Sequence, residues 1–412
     1  MAEPKGPPSR RRLLVLASTY PRWQGDHEPG FVHELSRRLV DEFDVHVLCP
    51  HAPGSLRKEV IDSVSIHRFR YASDALETLV ADGGILTNLQ RAFWKWFLVP
   101  PFLLALIFAC AGEIRRLRPH CIHAHWIVPQ GLALALVSQF GRHCPPFLVT
   151  SHGGDLFALR GRLFGALKRW VLGKASAVTV VSTPMLREVF GLGVIATRAS
   201  VVPMGVDFDE RFSLDPEIRR VDGQILFVGR LVEKKGVKYL IEALPKIRAQ
   251  VPGAHLVVVG GGPELGALTA QVCDLGLNDC VEFRGPIPQG ALPDLYRRAS
   301  VFVAPFVDAD SGDKEGLGLV TVEAIACGCP VVVGDVAVVA DVFRDTEMDM
   351  RAIPGDSESL AAKITDILRK PELAICRVME VRERLQRNMG WQSVASRYGE
   401  ILQNIGTTRR CR

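Results

Sequence analysis

The chain has 412 residues, of which 48% are hydrophobic and 23% charged, which excludes a disordered or collagen-like protein and predicts two domains of roughly 200 residues each. Its ten cysteines are scattered without a framework spacing, so a disulfide-built secreted scaffold is disfavoured and the reducing cytoplasm is indicated. Residues 1–200 carry 24 Lys and Arg against 15 Asp and Glu, whereas residues 201–412 carry 26 against 30.

The basic first half indicates an anionic partner. Its arginines are dispersed and form no known nucleic-acid-binding motif, so we expect no nucleic-acid partner. An anionic membrane surface or a phosphorylated acceptor fits this charge better. The apolar run that follows the amino-terminal arginines covers only Leu13–Ala17, which is too short for a signal peptide.

Ten apolar runs separated by helix-length segments predict buried β-strands. They read L-L-V-L-A-S, V-H-V-L-C-P, C-I-H-A-H-W, F-L-V-T-S-H and A-V-T-V-V-S in the first half, and I-L-F-V-G-R, H-L-V-V-V-G, V-E-F-R-G, V-F-V-A-P and P-V-V-V-G-D in the second. Such strands form parallel sheets covered by helices on both faces. The sequence therefore predicts an α/β protein with two doubly wound domains, residues 1–205 and 206–385. We expect a long last helix, Pro371–Leu402, and expect residues 386–412 to return toward the first domain.

The loop after the first predicted strand has the position of a ligand-binding loop. It reads P-R-W-Q-G-D-H-E-P-G and contains Gly25, Asp26 and Gly30. In doubly wound sheets, ligands bind beyond the carboxyl ends of the strands. These three residues are therefore candidates for lining a binding site.

The segment Trp96–Ala111 is strongly apolar. It is slightly short for a membrane span and contains Pro100 and Pro101 near its middle. The sequence leaves three interpretations open, namely a buried helix, a helix that also touches a membrane, and a membrane span. Tryptophans beside the segment are typical of interfacial anchors, so Trp94–Ala111 is a candidate membrane contact.

Two histidine patterns precede the middle of the chain. T-S-H-G-G-D-L ends a predicted strand with His152 and Asp155, where the two glycines allow close approach of a sugar or phosphate, although a lone histidine is more often structural. Cys121, His123 and His125 alternate along one face of another strand. Since no partner pair with metal-ligand spacing exists, we expect no metal site.

Two glycine-containing turns follow strands in the second half. I-L-F-V-G-R-L-V-E-K-K-G places Arg230 and Lys235 between a strand and a helix, where two cations suit a pyrophosphate. A solvated basic turn is the alternative. L-V-V-V-G-G-G-P places Gly260–Pro263 after the next strand, but G-x-G-x-x-G is absent, so a tight turn with close backbone approach is equally open.

The most informative stretch is E-G-L-G-L-V-T-V-E-A-I-A-C-G-C-P, which begins at Glu315. Gly316 and Gly318 expose the backbone ahead of a helix predicted to begin near Leu319, whose amides can hold a phosphate. Glu323 lies just over one turn inside this helix and can accept hydrogen bonds from ribose hydroxyls. The alternative is an ordinary loop–helix junction with two surface carboxylates.

In their order and spacing, G-R-L-V-E-K-K-G, V-V-G-G-G-P, E-G-L-G-L-V-T-V-E-A-I-A-C-G-C-P-V-V and H-G-G-D-L resemble the retaining glycosyltransferase family 4, the glycosyl transferases group 1. The resemblance extends from about Leu13 to Tyr398 and implies the GT-B architecture of two facing Rossmann-like domains. The chain departs from the family pattern in the acidic loop before Glu315, in V-A-V-V-A-D-V-F after P-V-V, and in D-T-E-M-D-M-R-A.

The resemblance implies how a donor is held. Arg230 and Lys235 would bind the diphosphate of a nucleotide sugar, Glu323 would hold its ribose, and Glu315 would contact its sugar. The amides that support sugar and phosphate would belong to Gly316, Leu317, Gly318 and Leu319. The nucleotide sugar, a UDP- or GDP-hexose, is a co-substrate, and no cofactor and no metal are implied.

The resemblance assigns the other side of the reaction to the first domain. His152 would act near the transferring sugar, Asp155 would shape its loop, and Gly25, Asp26 and Gly30 would line the acceptor side. The expected acceptor is a glycan or a lipid-linked molecule in cell-surface polysaccharide or glycoconjugate biosynthesis. We expect a cytoplasmic enzyme, peripheral on the inner face of the cell membrane.

Two other functions stay open. The altered loops permit a catalytically silent sugar-binding paralogue. Paired Rossmann-like domains also occur in nicotinamide-dependent oxidoreductases, although the lack of G-x-G-x-x-G with a following acidic residue disfavours them. The sequence contains neither G-x-S-x-G nor G-x-x-x-x-G-K-[ST], which excludes a hydrolase of the nucleophile-elbow type and a P-loop NTPase.

Overall fold

The computed structural model describes residues 10–26, 30–80, 84–141, 144–157, 159, 161–310 and 312–407. These residues form two compact units. Unit 1 comprises the described parts of Met1–Val181, Met185–Val202 and Val394–Arg412, and unit 2 comprises Ser182–Pro184 and Pro203–Ser393. The main division falls between residues 202 and 203, three residues before the predicted boundary at 205.

Unit 1 is built on an eight-stranded sheet. Its strands are β1 (Arg11–Leu16), β2 (Phe43–Pro50), β3 (Lys58–Ile61), β4 (Val64–Phe69), β5 (Cys121–His125), β6 (Phe147–Ser151), β7 (Ala177–Val180) and β8 (Ala199–Val201). Their order across the sheet is β3-β4-β2-β1-β5-β6-β7-β8, and only β3 runs antiparallel to its neighbour. The central strands β5 and β6 are buried along their whole length, as expected for apolar strands covered on both faces.

Helices lie between most of these strands in the chain, since parallel strands need crossover connections. They are α1 (Phe31–Arg38), α2 (Gly84–Arg91), α3 (Val99–Leu117), α4 (Leu132–Phe140), α5 (Gly154–Phe157), α6 (Arg162–Lys174) and α7 (Thr183–Gly191).

Unit 2 contains a six-stranded parallel sheet. Its strands are β9 (Val221–Val228), β10 (His255–Val259), β11 (Val281–Gly285), β12 (Ala299–Ala304), β13 (Val331–Gly334) and β14 (Arg351–Ala352). Their order, β11-β10-β9-β12-β13-β14, is the 3-2-1-4-5-6 order of the Rossmann fold. The helices are α8 (Val237–Gln250), α9 (Leu265–Asp274), α10 (Leu292–Arg298), α11 (Leu319–Ala326), α12 (Ser357–Arg369) and α13 (Pro371–Met389). The last helix, α14 (Trp391–Thr407), belongs to unit 1 from Val394 onward.

All ten strands predicted from apolar runs are present, and the prediction of two doubly wound sheets is confirmed. The sequence prediction missed β3, β4, β8 and β14. In β4, buried and partly exposed residues alternate, so it lacks the continuous apolar run of a central strand. The other three strands are only two to four residues long and give no usable pattern.

The prediction of one continuous last helix was wrong. Gly390 is extended (φ −63°, ψ 143°) and separates α13 from α14. Its neighbour Met389 accepts a hydrogen bond from the N–H of Val206 at 2.9 Å, which fixes the chain at this break. A Cβ at Gly390 would lie 2.4 Å from the carbonyl oxygen of Gln386, so a larger residue does not fit this conformation.

The apolar segment of unit 1 is a helix lying largely at the surface. Among the described residues, Phe93–Leu117 is the one helix long and apolar enough to cross a membrane, and 33% of its most apolar window is buried. The helix is therefore buried on one face only, where Phe102, Leu106 and Cys110 pack into unit 1. Pro100 and Pro101 occupy the first turn of α3, where no helical hydrogen bond is lost, so they begin the helix rather than interrupt it.

Candidate active site

The turn between β9 and α8 carries three cations at the carboxyl end of its strand. Arg230 is exposed, and Lys235 ends a single helical turn with its Nζ 4.8 Å from the ring centre of Phe306. Gly236 follows with φ 65°, and a Cβ there would lie 1.9 Å from the carbonyl oxygen of Pro305. The turn is therefore in direct contact with the end of β12, and its lysines lie beside the loop that follows that strand.

The acidic loop after β12 is bound to this turn. Lys234 Nζ lies 3.0 Å from Asp313 Oδ2 and donates to the carbonyl oxygen of Lys314 at 3.0 Å. The N–H of Asp310 donates to Glu233 Oε1 at 2.9 Å. The acidic loop, which departs from the family pattern, is thus held in place by contacts inside unit 2.

Glu315 connects the lysine turn to the start of α11. Its Oε2 lies 2.7 Å from Lys235 Nζ, and its Oε1 accepts a hydrogen bond from the N–H of Gly318 at 3.2 Å. Burial alone would raise the pKa of Glu315, but the charges of Lys235 and Lys234 lower it to about 2. Glu315 is therefore an ionised carboxylate, and it already binds one of the amides that the sequence assigned to the donor.

The start of α11 is held in one conformation by its glycine. Gly318 has φ 72°, in the left-handed region, and a Cβ there would lie 2.9 Å from the ring of Phe306. The helix begins at Leu319, as predicted, and Gly316 and Leu317 lie in the preceding loop. The predicted exposure of backbone amides at this junction depends on that glycine.

Glu323 is buried inside α11 with 8% of its surface exposed, so the alternative of a surface carboxylate is wrong. Tyr296 donates its hydroxyl hydrogen to Glu323 Oε2 at 3.0 Å. Burial raises the pKa of Glu323 to about 7, although the Tyr296 hydrogen bond and the charge of Arg211 oppose the shift. A carboxyl group held in this way can accept or donate a hydrogen bond near neutral pH.

The glycines after β10 form a tight turn. A Cβ at Gly260 would lie 1.9 Å from the carbonyl oxygen of Gly229, and one at Gly262 would lie 2.2 Å from that of Leu231. The interpretation as close backbone approach is confirmed. Because they have no side chains, these glycines allow the backbone after β10 to lie against the turn between β9 and α8, so the ends of the two strands come close together.

In unit 1, His152 follows β6 and lies in an aromatic cluster. Its Nε2 is 3.0 Å from His125 Nδ1, and its ring centre lies 4.9 Å from that of Phe31 and 5.0 Å from that of Trp126. Burial lowers the pKa of His152 to about 3, so the imidazole is neutral. The histidine is thus placed at the carboxyl edge of its sheet by neighbours from two segments, the start of α1 and the end of β5.

Asp155 is buried, and both of its carboxylate oxygens accept hydrogen bonds within unit 1. Oδ2 accepts from the N–H of Ile127 at 2.5 Å, and Oδ1 accepts from the Ser151 hydroxyl at 2.8 Å. Burial raises the pKa of Asp155, and these hydrogen bonds oppose the rise. The contacts join the ends of β5 and β6 and thereby shape the loop that carries His152.

The predicted loop after β1 is held by its own carboxylate. Asp26 accepts hydrogen bonds from the backbone N–H, Nε and Nη2 of Arg22 at 2.7–2.9 Å. Gly25 has φ 81°, and a Cβ there would have no atom within 4 Å, while Gly30 immediately precedes α1 and Phe31. Residues 27–29 of this loop lie outside the described residues.

Sequence reasoning missed several neighbours of the predicted site residues. Tyr296 lies 27 residues before Glu323, and no local pattern links the two. Lys234 was given no role, although its position beside Lys235 was a signal that the turn carries a second lysine. From the sequence, His125 was considered only as a metal ligand. Its hydrogen bond to His152 joins two strands that are separated in the chain, so no local pattern indicates it.

Solved structures match this architecture. Sucrose-phosphate synthase from Thermosynechococcus elongatus superposes with a TM-score of 0.74, covering 97% of this chain and 100% of that chain at 21% sequence identity. Together with the two doubly wound parallel sheets, this likeness defines the GT-B fold of glycosyltransferases. The fold class predicted from the sequence is thereby confirmed.

The family follows from sequence comparison. The description "Glycosyltransferase Family 4" matches residues 31–210, and "Glycosyl transferases group 1" matches residues 210–388. The putative teichuronic acid biosynthesis glycosyltransferase TuaC of Bacillus subtilis is 31% identical over 387 residues, which cover 88% of this chain and 92% of that one. The chain belongs to the group 1 glycosyltransferase family, as its motifs predicted.

Two further relatives show the range of the family. Glycogen synthase of Mycobacterium tuberculosis is 29% identical over 417 residues, covering 95% of this chain and 94% of that one. The GDP-mannose-dependent alpha-(1-6)-phosphatidylinositol monomannoside mannosyltransferase of Mycolicibacterium smegmatis is 34% identical over 211 residues, covering 49% of this chain and 55% of that one.

Proposed function

We propose that this glycosyltransferase moves a hexosyl group from a nucleotide sugar, a UDP- or GDP-hexose, to a glycan or lipid-linked acceptor with retention of configuration. The observation that carries the proposal is the arrangement in unit 2. There, exposed Arg230 and the Lys235–Glu315 pair follow parallel strands, and buried Glu323 lies inside the adjoining helix. Parallel strands bind phosphorylated ligands at this edge.

The chemistry we propose requires fixed positive charge and no protein nucleophile. The bond between the anomeric carbon and the β-phosphate oxygen breaks, and the acceptor oxygen bonds to that carbon on the same face. The acceptor proton passes to an oxygen of the departing nucleoside diphosphate. Arg230 and Lys235 stabilise the negative charge that develops on this leaving group.

The remaining predicted residues have supporting roles in this proposal. Glu323 binds the ribose hydroxyls. Glu315 contacts the donor sugar when the diphosphate is bound, and Lys235 then interacts with both the diphosphate and Glu315. The amides of Gly316–Leu319 support the sugar and phosphate. In unit 1, His152 contacts the transferring sugar, while Gly25, Asp26, Gly30 and Asp155 form loops on the acceptor side.

For the acceptor, we propose a molecule of cell-surface polysaccharide or glycoconjugate assembly. The names of the relatives support this choice, because they include a teichuronic acid biosynthesis enzyme, a glycogen synthase and a phosphatidylinositol monomannoside mannosyltransferase. The last name also includes GDP-mannose, which supports a nucleotide-sugar donor.

We also propose that the enzyme is cytoplasmic and binds the inner face of the membrane peripherally through Phe93–Leu117. Aromatic and apolar side chains on the outer face of this segment are largely exposed, with 77% of Phe97 and 73% of Phe108 accessible. Arg115 and Arg116 lie in the last turn of α3, where they suit anionic headgroups. A helix with this pattern lies in the plane of the interface, because its inner face is occupied by unit 1.

Transfer should be tested with radiolabelled UDP- and GDP-hexoses and a membrane-lipid or glycan extract as acceptor. We expect transfer without added metal and in EDTA, and the product's anomeric configuration, read by NMR, should match that of the donor. Lys235→Ala should reduce transfer about a hundredfold, whereas Lys246→Ala, an exposed lysine on α8, should leave it unchanged.

Three results would contradict parts of the proposal. Full activity of the Lys235→Ala variant would show that the site assignment is wrong. Nucleoside diphosphate binding without transfer to any acceptor would favour the silent paralogue. Loss of transfer in EDTA, restored by a divalent cation, would refute metal independence.

A further inference from the structure

Two buried histidines of unit 1, His123 and His125, form a connected cluster with the half-buried His152. His123 and His125 lie on β5 with ring centres 4.1 Å apart. The rings of His125 and His152 are nearly parallel, at 11°, with their centres 5.2 Å apart and Nδ1 of the first 3.0 Å from Nε2 of the second. Two imidazoles in nearly parallel planes with a short nitrogen–nitrogen distance share one hydrogen bond.

The environment of the cluster decides which nitrogen donates. Burial keeps all three imidazoles neutral by lowering their pKa values, so each ring carries a single N–H. The Nε2 of His125 is buried and has no hydrogen-bond partner among the described residues. If His152 donated, the N–H of His125 would lie on that nitrogen without an acceptor, and orphaned buried N–H groups are rare in proteins. If His125 donates, only a lone pair is left without a partner.

We infer that His125 is a positioning residue that donates its Nδ1–H to His152 Nε2 and thereby holds His152 in the tautomer protonated at Nδ1. The Nδ1–H of His152 is then a fixed donor for an oxygen of the sugar substrate. The identity of that ligand rests on the proposed function, whereas the tautomer does not. The inference also explains why β5 has a histidine at position 125 although the described residues place no metal ligand set there.

Two substitutions at position 125 separate this role from packing. Asparagine places an amide N–H close to the position of Nδ1, whereas leucine fills similar space without a donor. We expect His125→Asn to retain most of kcat and His125→Leu to lose about tenfold, with a smaller change in KM, because one hydrogen bond to the reacting sugar is misplaced. His123→Gln is the control, since it keeps the hydrogen bond of that position to Thr150 (2.7 Å) and does not contact His152.

The direct measurement is a long-range ¹H–¹⁵N spectrum of the full chain labelled at histidine, with the His152 signals assigned from a His152→Gln variant. The inference predicts a protonated Nδ1 and an unprotonated Nε2 for His152 in the wild type and in His125→Asn, and a mixture of tautomers in His125→Leu. A protonated Nε2 in the wild type would overturn it, as would equal kcat values for the Asn and Leu variants. Inactive wild-type enzyme would instead contradict the proposed function, and the tautomer would still be measured.

Discussion

At the residue scale, Glu315 and Glu323 show how one loop–helix junction gives two carboxyl groups opposite properties. Burial by itself raises the pKa of each. Glu315 has the charges of Lys235 and Lys234 beside it and is held ionised, whereas Glu323 has the neutral hydroxyl of Tyr296. The first carboxylate is therefore suited to organising cations, and the second to hydrogen bonding with neutral hydroxyls such as those of ribose.

This difference predicts the effect of Glu323→Gln on stability. The pKa of Glu323 is about 7 in the folded chain, above its ordinary value of 4.5, so the folded state loses stability as pH rises through this window. A neutral glutamine removes that loss. We expect the variant to melt at a higher temperature than the wild type at pH 8, by about 2–4 °C for each kcal/mol recovered, and at nearly the same temperature at pH 5. Equal melting temperatures at pH 8 would contradict the assignment.

Glu315→Gln is the matched experiment with the opposite sign. The pKa of Glu315 is about 2, below its ordinary 4.5, so its ionised form contributes stability above pH 4.5 that is lost as pH falls toward 2. The variant leaves Lys235 without its carboxylate partner. It should melt below the wild type at pH 8, and the difference should shrink at pH 3. A variant as stable as the wild type at pH 8 would show that this ion pair contributes no stability.

At the element scale, the start of α11 depends on one glycine, which gives a second pair of variants. In Gly318→Ala the new Cβ meets the Phe306 ring at a left-handed φ, so we expect a loss of about 1–3 kcal/mol and weaker nucleotide binding. Gly266→Ala in α9 has nothing within 4 Å of the new Cβ and should be neutral or slightly stabilising. Urea unfolding and nucleotide titration of both variants measure these effects. Unaltered nucleotide binding by Gly318→Ala would show that the start of α11 does not take part in binding the donor.

The exposed face of Phe93–Leu117 gives a prediction at the same scale. Purified protein should sediment with vesicles containing phosphatidylglycerol, and replacing Phe97 and Phe108 together by serine should remove most of this binding. The control replaces Leu163 and Ile195 by serine, since these residues are also exposed, at 80% and 60%, but lie outside the segment. Equal loss in both double variants, or no vesicle binding by the wild type, would refute peripheral attachment through this helix.

Elements were predictable from sequence where one physical cause dominates. Continuous apolar runs such as β5 identify central strands because burial on both faces requires them. The α13–α14 break was missed because the apolar spacing continues across Gly390, whereas the extended glycine and the contact of Met389 with Val206 end the first helix there. In the site, local motifs identified both glutamates, but their contacts with Lys235 and Tyr296 join residues far apart in the chain.

At the scale of the whole molecule, two sheets with nearly the same strand order carry different side chains at their carboxyl edges. Unit 1 presents neutral histidines and aromatic rings, whereas unit 2 presents lysines, an arginine, the half-buried Glu315 and the buried Glu323. The first set suits sugar hydroxyls and apolar sugar faces, and the second suits a nucleoside diphosphate. The proposed transfer reaction requires both sets of side chains.

The central claim is that unit 2 binds a nucleoside diphosphate through Lys235, and thermal unfolding with saturating UDP, GDP, ADP or NAD tests it most directly. A ligand that binds only the folded state at 100 times its Kd adds about 2.7 kcal/mol to the free energy of unfolding. We predict that one nucleoside diphosphate raises the melting temperature of the wild type and has little effect on Lys235→Ala. A rise with NAD alone, or an equal rise in both proteins, would contradict the claim.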